Sequence, residues 1–214
     1  MYILVNIYEH LCTFAMTPQK ASLTKFLKKQ GLATYADIMK AGFKRTNLNK
    51  LLRSGKAQKT GHNIYKLTES PSESNPDFAI VAIKAPRAVV CLISALAFHE
   101  ATDEIPRQID LAIPQKSRAN KINYPPVRFY RFTQAAWETG IEKHKIGIRS
   151  IRVYNLAKTI ADCFKFRNKI GVDIARSALK TAVTEKHIPA KEIMHYAKIC
   201  RVHNIVKPLL ETLL

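Results

Sequence analysis

The sequence predicts an α+β protein in two parts, and three observations support this prediction. Apolar residues recur every three or four positions in residues 22–54 and again from residue 155 onward, which is the period of amphipathic helices. Between residues 108 and 154, apolar and polar residues alternate along several short stretches, as in half-buried strands. Residues 69–77 are rich in Ser, Pro and acids without an apolar period, so we interpret them as a linker.

The N-terminal part is expected to hold three short helices. The first covers about residues 22–30, where the apolar period is clear and a glycine follows. The second begins at Thr34, whose hydroxyl can cap the first turn, and Asp37 can complete a capping box. A tight turn at Gly42 leads to the third helix, at about residues 45–54.

Two short strands, about residues 56–59 and 64–67, follow the third helix and are joined by a turn-rich tip. Three helices followed by a hairpin is the order of a winged helix-turn-helix domain, which we place at residues 18–68. Residues 1–17 form an apolar leader that has no basic first region and is too short to span a bilayer. The leader is either an upstream translation artefact or a short accessory helix.

The second domain, residues 78–214, is expected to combine a small antiparallel sheet with a C-terminal run of helices. Residues 79–85 fit either a strand or the start of a helix, and residues 87–99 are predicted to form a buried, nearly all-apolar helix. The expected strands are about residues 108–113 and 127–132 and a hairpin of 140–145 with 149–154. The expected C-terminal helices are about residues 156–166, 172–185, 189–201 and 204–213.

The charge balance indicates a polyanionic partner. The chain carries 35 Lys and Arg against 16 Asp and Glu, a formal net charge of +19. Residues 16–70 hold twelve of these basic residues against two acids, so the N-terminal part is the most densely basic. Such a field favours nucleic acid as the partner over a surface that is Lys-rich for solubility alone. Four scattered cysteines without metal-ligand spacing indicate a reducing, cytoplasmic setting without structural disulfides or zinc.

The third helix carries the candidate base-reading residues. Arg45, Asn49 and Arg53 recur every four positions opposite a leucine stripe, and Arg and Asn make bidentate contacts with guanine and adenine edges. Exposed helix faces often carry charge for solvation alone, but the three-helix spacing, the wing and the scarcity of acids together favour binding of double-stranded DNA. A winged helix that docks a protein is the alternative. The predicted DNA-contacting residues are Lys28, Lys44, Arg45, Asn47, Asn49, Lys50, Arg53, Lys59, Thr60 and His62.

The sequence shows no catalytic constellation, metal motif or cofactor motif. His99 and Glu100 begin a HExxH zinc motif, but position 103 is Asp, so the motif fails. The seven glycines form no phosphate-binding loop. Asp103, Glu104 and Asp110 leave a nuclease-like enzyme as an alternative function, although nothing in the sequence sets their mutual geometry. We therefore expect a protein that is not an enzyme and uses no cofactor or metal.

Three segments after the linker carry a family resemblance. They are residues 86–100 (PRAVVCLISALAFHE), 124–128 (YPPVR) and 152–171 (RVYNLAKTIADCFKFRNKIG). With the basic winged helix before them, the chain resembles the AbiEi antitoxin family of bacterial abortive-infection (type IV) toxin–antitoxin systems over about residues 18–214. The resemblance implies a phage-defence repressor that binds inverted repeats in double-stranded operator DNA upstream of its own operon. It also implies that the C-terminal domain counters a nucleotidyltransferase-like toxin, with or without direct contact.

Arg167, Asn168 and Lys169, just before Gly171, are a possible antitoxin surface. Cations at the end of a helix also interact favourably with its dipole, so a purely structural role for these residues stays open. The resemblance itself assigns no neutralising residue. A scaffold that docks the toxin directly is a further alternative to indirect antagonism.

Overall fold

The computed structural model of the chain describes residues 22–61, 63–69, 76–146 and 149–213. The predicted leader, His62 and most of the predicted linker lie outside the described residues. Residues 22–69, here called the N-terminal unit, show the predicted order of three helices followed by a hairpin. Their elements are α1 (Leu23–Gln30), β1 (Ala33–Thr34), α2 (Tyr35–Lys40), α3 (Arg45–Arg53), β2 (Ala57–Gly61) and β3 (Ile64–Leu67).

Side-chain hydrogen bonds define where the first helices begin. The Ser22 hydroxyl accepts a hydrogen bond from the Thr24 N–H at 3.3 Å and caps α1. The Thr34 hydroxyl accepts from the Asp37 N–H at 3.0 Å, while the Asp37 carboxylate accepts from the Thr34 N–H at 2.9 Å. The predicted capping box is thus confirmed. Gly42 has a φ of +84°, which suits the tight turn between α2 and α3.

A small antiparallel sheet of order β1–β3–β2 completes the N-terminal unit. Ala57 pairs with Leu67, and Ala33 pairs with Tyr65, which places apolar side chains of all three strands on one face. These side chains pack against the buried residues Leu27, Ile38 and Leu48 of the three helices. The unit therefore has a hydrophobic core of its own.

The remainder of the chain forms a five-stranded sheet with helices on both faces. Its elements are α4 (Pro76–Lys84), β4 (Val89–Val90), α5 (Leu92–Phe98), β5 (Ile109–Pro114), β6 (Val127–Phe132), α6 (Gln134–Glu138), β7 (Ile141–Ile146), β8 (Arg149–Tyr154), α7 (Leu156–Lys165), α8 (Arg167–Ile170), α9 (Val172–Thr184), α10 (Ala190–Ile199) and α11 (His203–Glu211). The overall class is α+β with C-terminal helices, as the sequence predicts.

The order of this sheet is β6–β5–β4–β8–β7. The predicted β7–β8 hairpin is confirmed, with Ile141 opposite Tyr154 and Ile146 opposite Arg149. The sheet is larger than the small antiparallel one expected, because it also contains two parallel pairs, β5–β6 and β4–β8. Parallel pairs join segments that are distant in sequence, so periodicity within each strand cannot reveal them.

The two faces of the sheet form two cores. Val89 faces the larger core, where α7, α9, α10 and α11 pack around residues such as Phe164 and Leu179. Val90 faces the opposite side and packs with Val81 of α4. The side chains of the two β4 residues thus point to opposite faces of the sheet, and helices cover each face.

One expectation for the start of this region is wrong, and of the two alternatives left open for residues 79–85 the structure shows the helix. Residues 87–99 are not one helix, because Val89 and Val90 form strand β4 and the helix begins only at Leu92. Residues 79–85 lie mostly in α4, which starts at Pro76 inside the predicted linker. Apolar runs that are buried on all sides carry no period, so the sequence alone cannot separate strand from helix there.

The N-terminal unit contacts the rest of the chain in two ways. Leu32 and Ile64 pack against Ala79 and Ile80 of α4 in a small apolar cluster that Ile146 of β7 also touches. Beside this cluster, the guanidinium of Arg149 forms an ion pair with the carboxylate of Asp37, with an N–O distance of 2.5 Å.

Within the described ranges, no helix is long and apolar enough to cross a membrane.

Candidate nucleic-acid interface

Helix α3 presents one apolar and one polar face. Leu48 is 1% exposed and anchors the helix in the core of the N-terminal unit. The side chains predicted to read bases, Arg45, Asn49 and Arg53, are all exposed. Their four-residue spacing places them along a single side of the helix, because 3.6 residues make one turn. This face offers the fork-shaped and amide donors that major-groove recognition uses.

The neighbours of this face are also exposed and polar. Asn47 and Lys50 lie on α3, and Lys44 is the N-cap residue, whose side chain makes no capping hydrogen bond. Lys28 is exposed near the end of α1. These side chains are therefore accessible to solvent and can reach an anionic ligand.

The predicted wing residues on the β2–β3 hairpin differ in their exposure to solvent. Lys59 is exposed opposite Tyr65, as a phosphate contact would require. The hydroxyl oxygen of Thr60, by contrast, is buried and finds no hydrogen-bond partner among the described residues. A register shift between Lys59 and Gly61 accompanies this burial. The predicted contact from His62 lies outside the described residues.

The single acid within residues 22–68 is hydrogen-bonded and ion-paired within the protein. The segment contains eleven Lys and Arg, and Asp37 is its only carboxylate. Burial acts to raise the pKa of Asp37, but the hydrogen bonds with Thr34 and the positive charge of Arg149 outweigh it, so this pKa lies below its ordinary value. Because the charge of Asp37 is paired, the positive potential of the unit is left almost unopposed.

Arg149 is a residue that sequence reasoning missed. It lies 112 residues after Asp37 in the chain and belongs to strand β8. Nothing in the sequence around Arg149 predicts that this strand residue pairs with an acid of the N-terminal unit. Only the docking of the β7–β8 hairpin on the N-terminal unit brings the two together.

The acidic residues considered for catalysis do not form a metal site. Asp110 is 1% exposed and pairs with Arg128, with an N–O distance of 3.1 Å. Burial raises the pKa of Asp110, and the guanidinium of Arg128 opposes that shift. Asp103 and Glu104 are exposed in the loop before β5. Among the residues described, no cluster of three His, Cys, Asp or Glu is arranged to hold a metal ion.

The possible antitoxin surface lies on the short helix α8. Asn168 and Lys169 are exposed, whereas the Arg167 guanidinium donates a hydrogen bond to the Phe164 carbonyl at 2.8 Å. The Lys169 ammonium lies 5.9 Å from the centre of the Tyr130 ring. Arg167 thus closes the end of α7, while the other two side chains remain available to a partner.

Comparison with known proteins finds a family match within the N-terminal unit. Residues 22–68 match the model of a family described as "Transcriptional regulator, AbiEi antitoxin", about a fifth of the chain. The predicted resemblance to AbiEi antitoxins is therefore confirmed over this segment. No protein of curated function matches the chain.

Among solved structures, one match extends over most of the chain. It is the crystal structure of the RV2827C protein from Mycobacterium tuberculosis, with a TM-score of 0.49 and 12% sequence identity. The match covers 89% of this chain and 80% of that one.

Proposed function

We propose, from the AbiEi-type regulator domain at residues 22–68, that this protein is a DNA-binding transcriptional repressor and antitoxin. In this proposal the N-terminal unit is a winged helix-turn-helix, α3 lies in the major groove, and the β2–β3 hairpin is the wing. The observation that carries the proposal is the exposed row of Arg45, Asn49 and Arg53 on α3, within residues 22–68, whose only acid is paired. The family description and this geometry support the same activity.

The same proposal assigns a role to each part of the chain. Residues 18–68 bind the operator, the linker starts at residue 69 and ends before α4, and residues 76–214 form the antitoxin domain. The operator contains inverted repeats upstream of the protein's own operon, which makes the protein an autorepressor of a type IV system. The toxin is nucleotidyltransferase-like, and Asn168 and Lys169 on α8 are the first candidates for countering it. The protein acts in the cytoplasm and is not an enzyme.

The test of operator binding uses a duplex containing the inverted repeats from upstream of the gene. Arg45→Ala and Asn49→Ala each remove donors that the proposal assigns to base edges, so operator affinity should fall by about 1–3 kcal/mol, roughly 5- to 150-fold in Kd. Affinity for an unrelated duplex should change much less, because base contacts add little there. Kd values come from fluorescence anisotropy at one stated salt concentration.

Lys191→Ala is the matched control, because this lysine is exposed on α10, away from the N-terminal unit. It should leave both affinities unchanged. Operator binding by Arg45→Ala and Asn49→Ala with the affinity of the unaltered protein would refute the assignment of α3 as the recognition helix.

A further inference from the structure

Strand β6 is an outer strand of the five-stranded sheet, and within the described part of the chain β5 is its one neighbouring strand. The carbonyl of Phe132, at the end of β6, accepts a hydrogen bond from the Gln115 N–H at 2.8 Å, on the side of β5. Successive residues of a strand turn their backbone groups to opposite edges, so those of Phe129 and Arg131 point away from β5. These outward groups form no hydrogen bond with any other described residue.

The structure of β6 leaves this edge open to another strand. Natural edge strands are usually protected by a bulge, a proline, a lysine or a very short length. The register of β6 with β5 is unbroken from Val127 to Phe132, and the six residues of β6 include neither proline nor lysine. An extended peptide can therefore add to β6 and bond with its outward N–H and C=O groups.

The side chains around this edge are positively charged. β6 and α8 together contain four basic residues and no acid. Arg131 is exposed, and its guanidinium donates to the carbonyls of Gln115 and Ser117 at 3.0 Å and 2.7 Å, which carry no net charge. On the other face of the sheet, the exposed Lys169 of α8 lies 5.9 Å from the centre of the Tyr130 ring. Cations thus flank the edge on both faces, which favours an acidic strand as the occupant.

Other occupants fit this edge less well. A second copy of the chain would bring two basic edges together, and each copy carries a formal net charge of +19. Duplex DNA offers phosphates but lacks the alternating donors and acceptors that a strand edge bonds with. The occupant that matches both the backbone and the charge is an extended acidic segment of another protein.

We propose that the free edge of β6 binds an extended acidic segment of the toxin by strand addition, with Arg131 and Lys169 contacting its carboxylates. This inference rests on the proposed function and makes the neutralisation of the toxin direct. Lys169 is already a candidate for countering the toxin, so the edge and the surface on α8 are continuous. Main-chain hydrogen bonds to Phe129 and Arg131 supply affinity, and the two cations select an acidic segment.

The first test measures the Kd between the full chain and the purified toxin encoded in the same operon. Arg131→Pro removes an outward N–H, and proline is tolerated where the N–H of an edge strand faces solvent. Arg131→Ala is the matched control, because it loses the same side chain and keeps the N–H. The Kd should be about tenfold higher for Arg131→Pro than for Arg131→Ala, since a carbonyl of the added strand loses its partner. Operator affinity should be equal in the two variants.

Amide hydrogen exchange, followed by NMR, examines the edge without any substitution, so it decides the question even if Arg131→Pro fails to fold. In the complex with the toxin, the N–H groups of Phe129 and Arg131 should exchange more slowly than in the free protein. The N–H of Tyr130 already faces β5 and should change little.

A charge reversal tests the acidic character of the bound segment. Lys169→Glu should raise the Kd for the toxin several-fold, because it places a negative charge beside the proposed carboxylates. Lys191→Glu makes the same change of charge at an exposed position of α10 and should leave the Kd unchanged. Equal effects of the two reversals would contradict the proposed contact with Lys169.

Equal toxin affinity of Arg131→Pro and Arg131→Ala would overturn the inference, as would unchanged exchange at Phe129 and Arg131 in the complex. Slow exchange at both residues in a dimer of the free protein would assign the edge to a second copy and also overturn it. Neutralisation without binding would overturn the inference and leave the antitoxin role standing. Failure of the unaltered protein to neutralise the toxin in cells would instead refute the antitoxin role itself, and the inference with it.

Discussion

The fully buried ion pair between Lys158 and Asp162 makes the stability of the C-terminal part sensitive to a single atom replacement. Both side chains are 0% exposed, and the ammonium donates to both carboxylate oxygens at 2.6 Å. The rings of Phe132 and Tyr154 lie 5.0 Å and 4.3 Å from the same ammonium. The Cys200 thiol adds a hydrogen bond to Asp162 at 3.2 Å. Asp162→Asn would keep the shape of this cluster and remove its negative charge.

The expected loss follows from these contacts. At 2.6 Å the pair attracts with about 6 kcal/mol at an effective dielectric of about 20. The asparagine oxygen and the two aromatic rings still stabilise the ammonium of Lys158, so only part of this attraction is lost. Breaking a buried pair by removing one partner costs about 3–5 kcal/mol, and we expect Asp162→Asn to lie in this range. That is a large share of the roughly 5–15 kcal/mol that stabilises a typical protein.

Urea unfolding of the full chain, followed by circular dichroism, measures this loss. Glu104→Gln is the control, because Glu104 is exposed in a loop, and it should change the free energy of unfolding by less than about 0.5 kcal/mol. Lys158→Met/Asp162→Leu removes both charges and should recover most of the stability, since apolar replacement of a buried pair is often neutral. The reasoning is refuted if Asp162→Asn stays within about 1 kcal/mol of the unaltered protein.

Two further changes test the contacts that organise the fold. Arg149→Gln should raise the pKa of Asp37 in an NMR titration, because the guanidinium helps to lower it. In the unaltered protein, the stabilisation that comes from the lowered pKa of Asp37 is present above the pKa of the unfolded chain, near 3.9. This stabilisation is lost as the pH falls through the pKa of the folded state. An unchanged pKa would contradict the pairing. Gly140→Ala should lower the free energy of unfolding in urea by more than Gly55→Ala does. Equal losses in the two variants would contradict this expectation. Both glycines have positive φ, but a Cβ at Gly140 would lie 2.7 Å from the Cβ of Lys158, whereas Gly55 has open space around it.

Much of the N-terminal unit could be predicted from the sequence. The helix period, the Thr34–Asp37 capping box and the turn at Gly42 are interactions within four or five residues, and local chemistry is enough to establish them. The exposed side of α3 followed from the same period. For the predicted wing, the hairpin was right, but the sequence did not show that the hydroxyl of Thr60 is buried.

Local signals were enough to predict the three helices of the N-terminal unit, the helices after residue 155, the β7–β8 hairpin and the exposed basic face of α3. How these elements join can be seen only in the folded chain. The parallel pairing of β5 with β6, the separation of Val89 and Val90 from the helix after them, and the ion pair of Arg149 with Asp37 all depend on packing. These contacts join residues that are far apart in the chain, and their free energy exists only once the chain has folded around them.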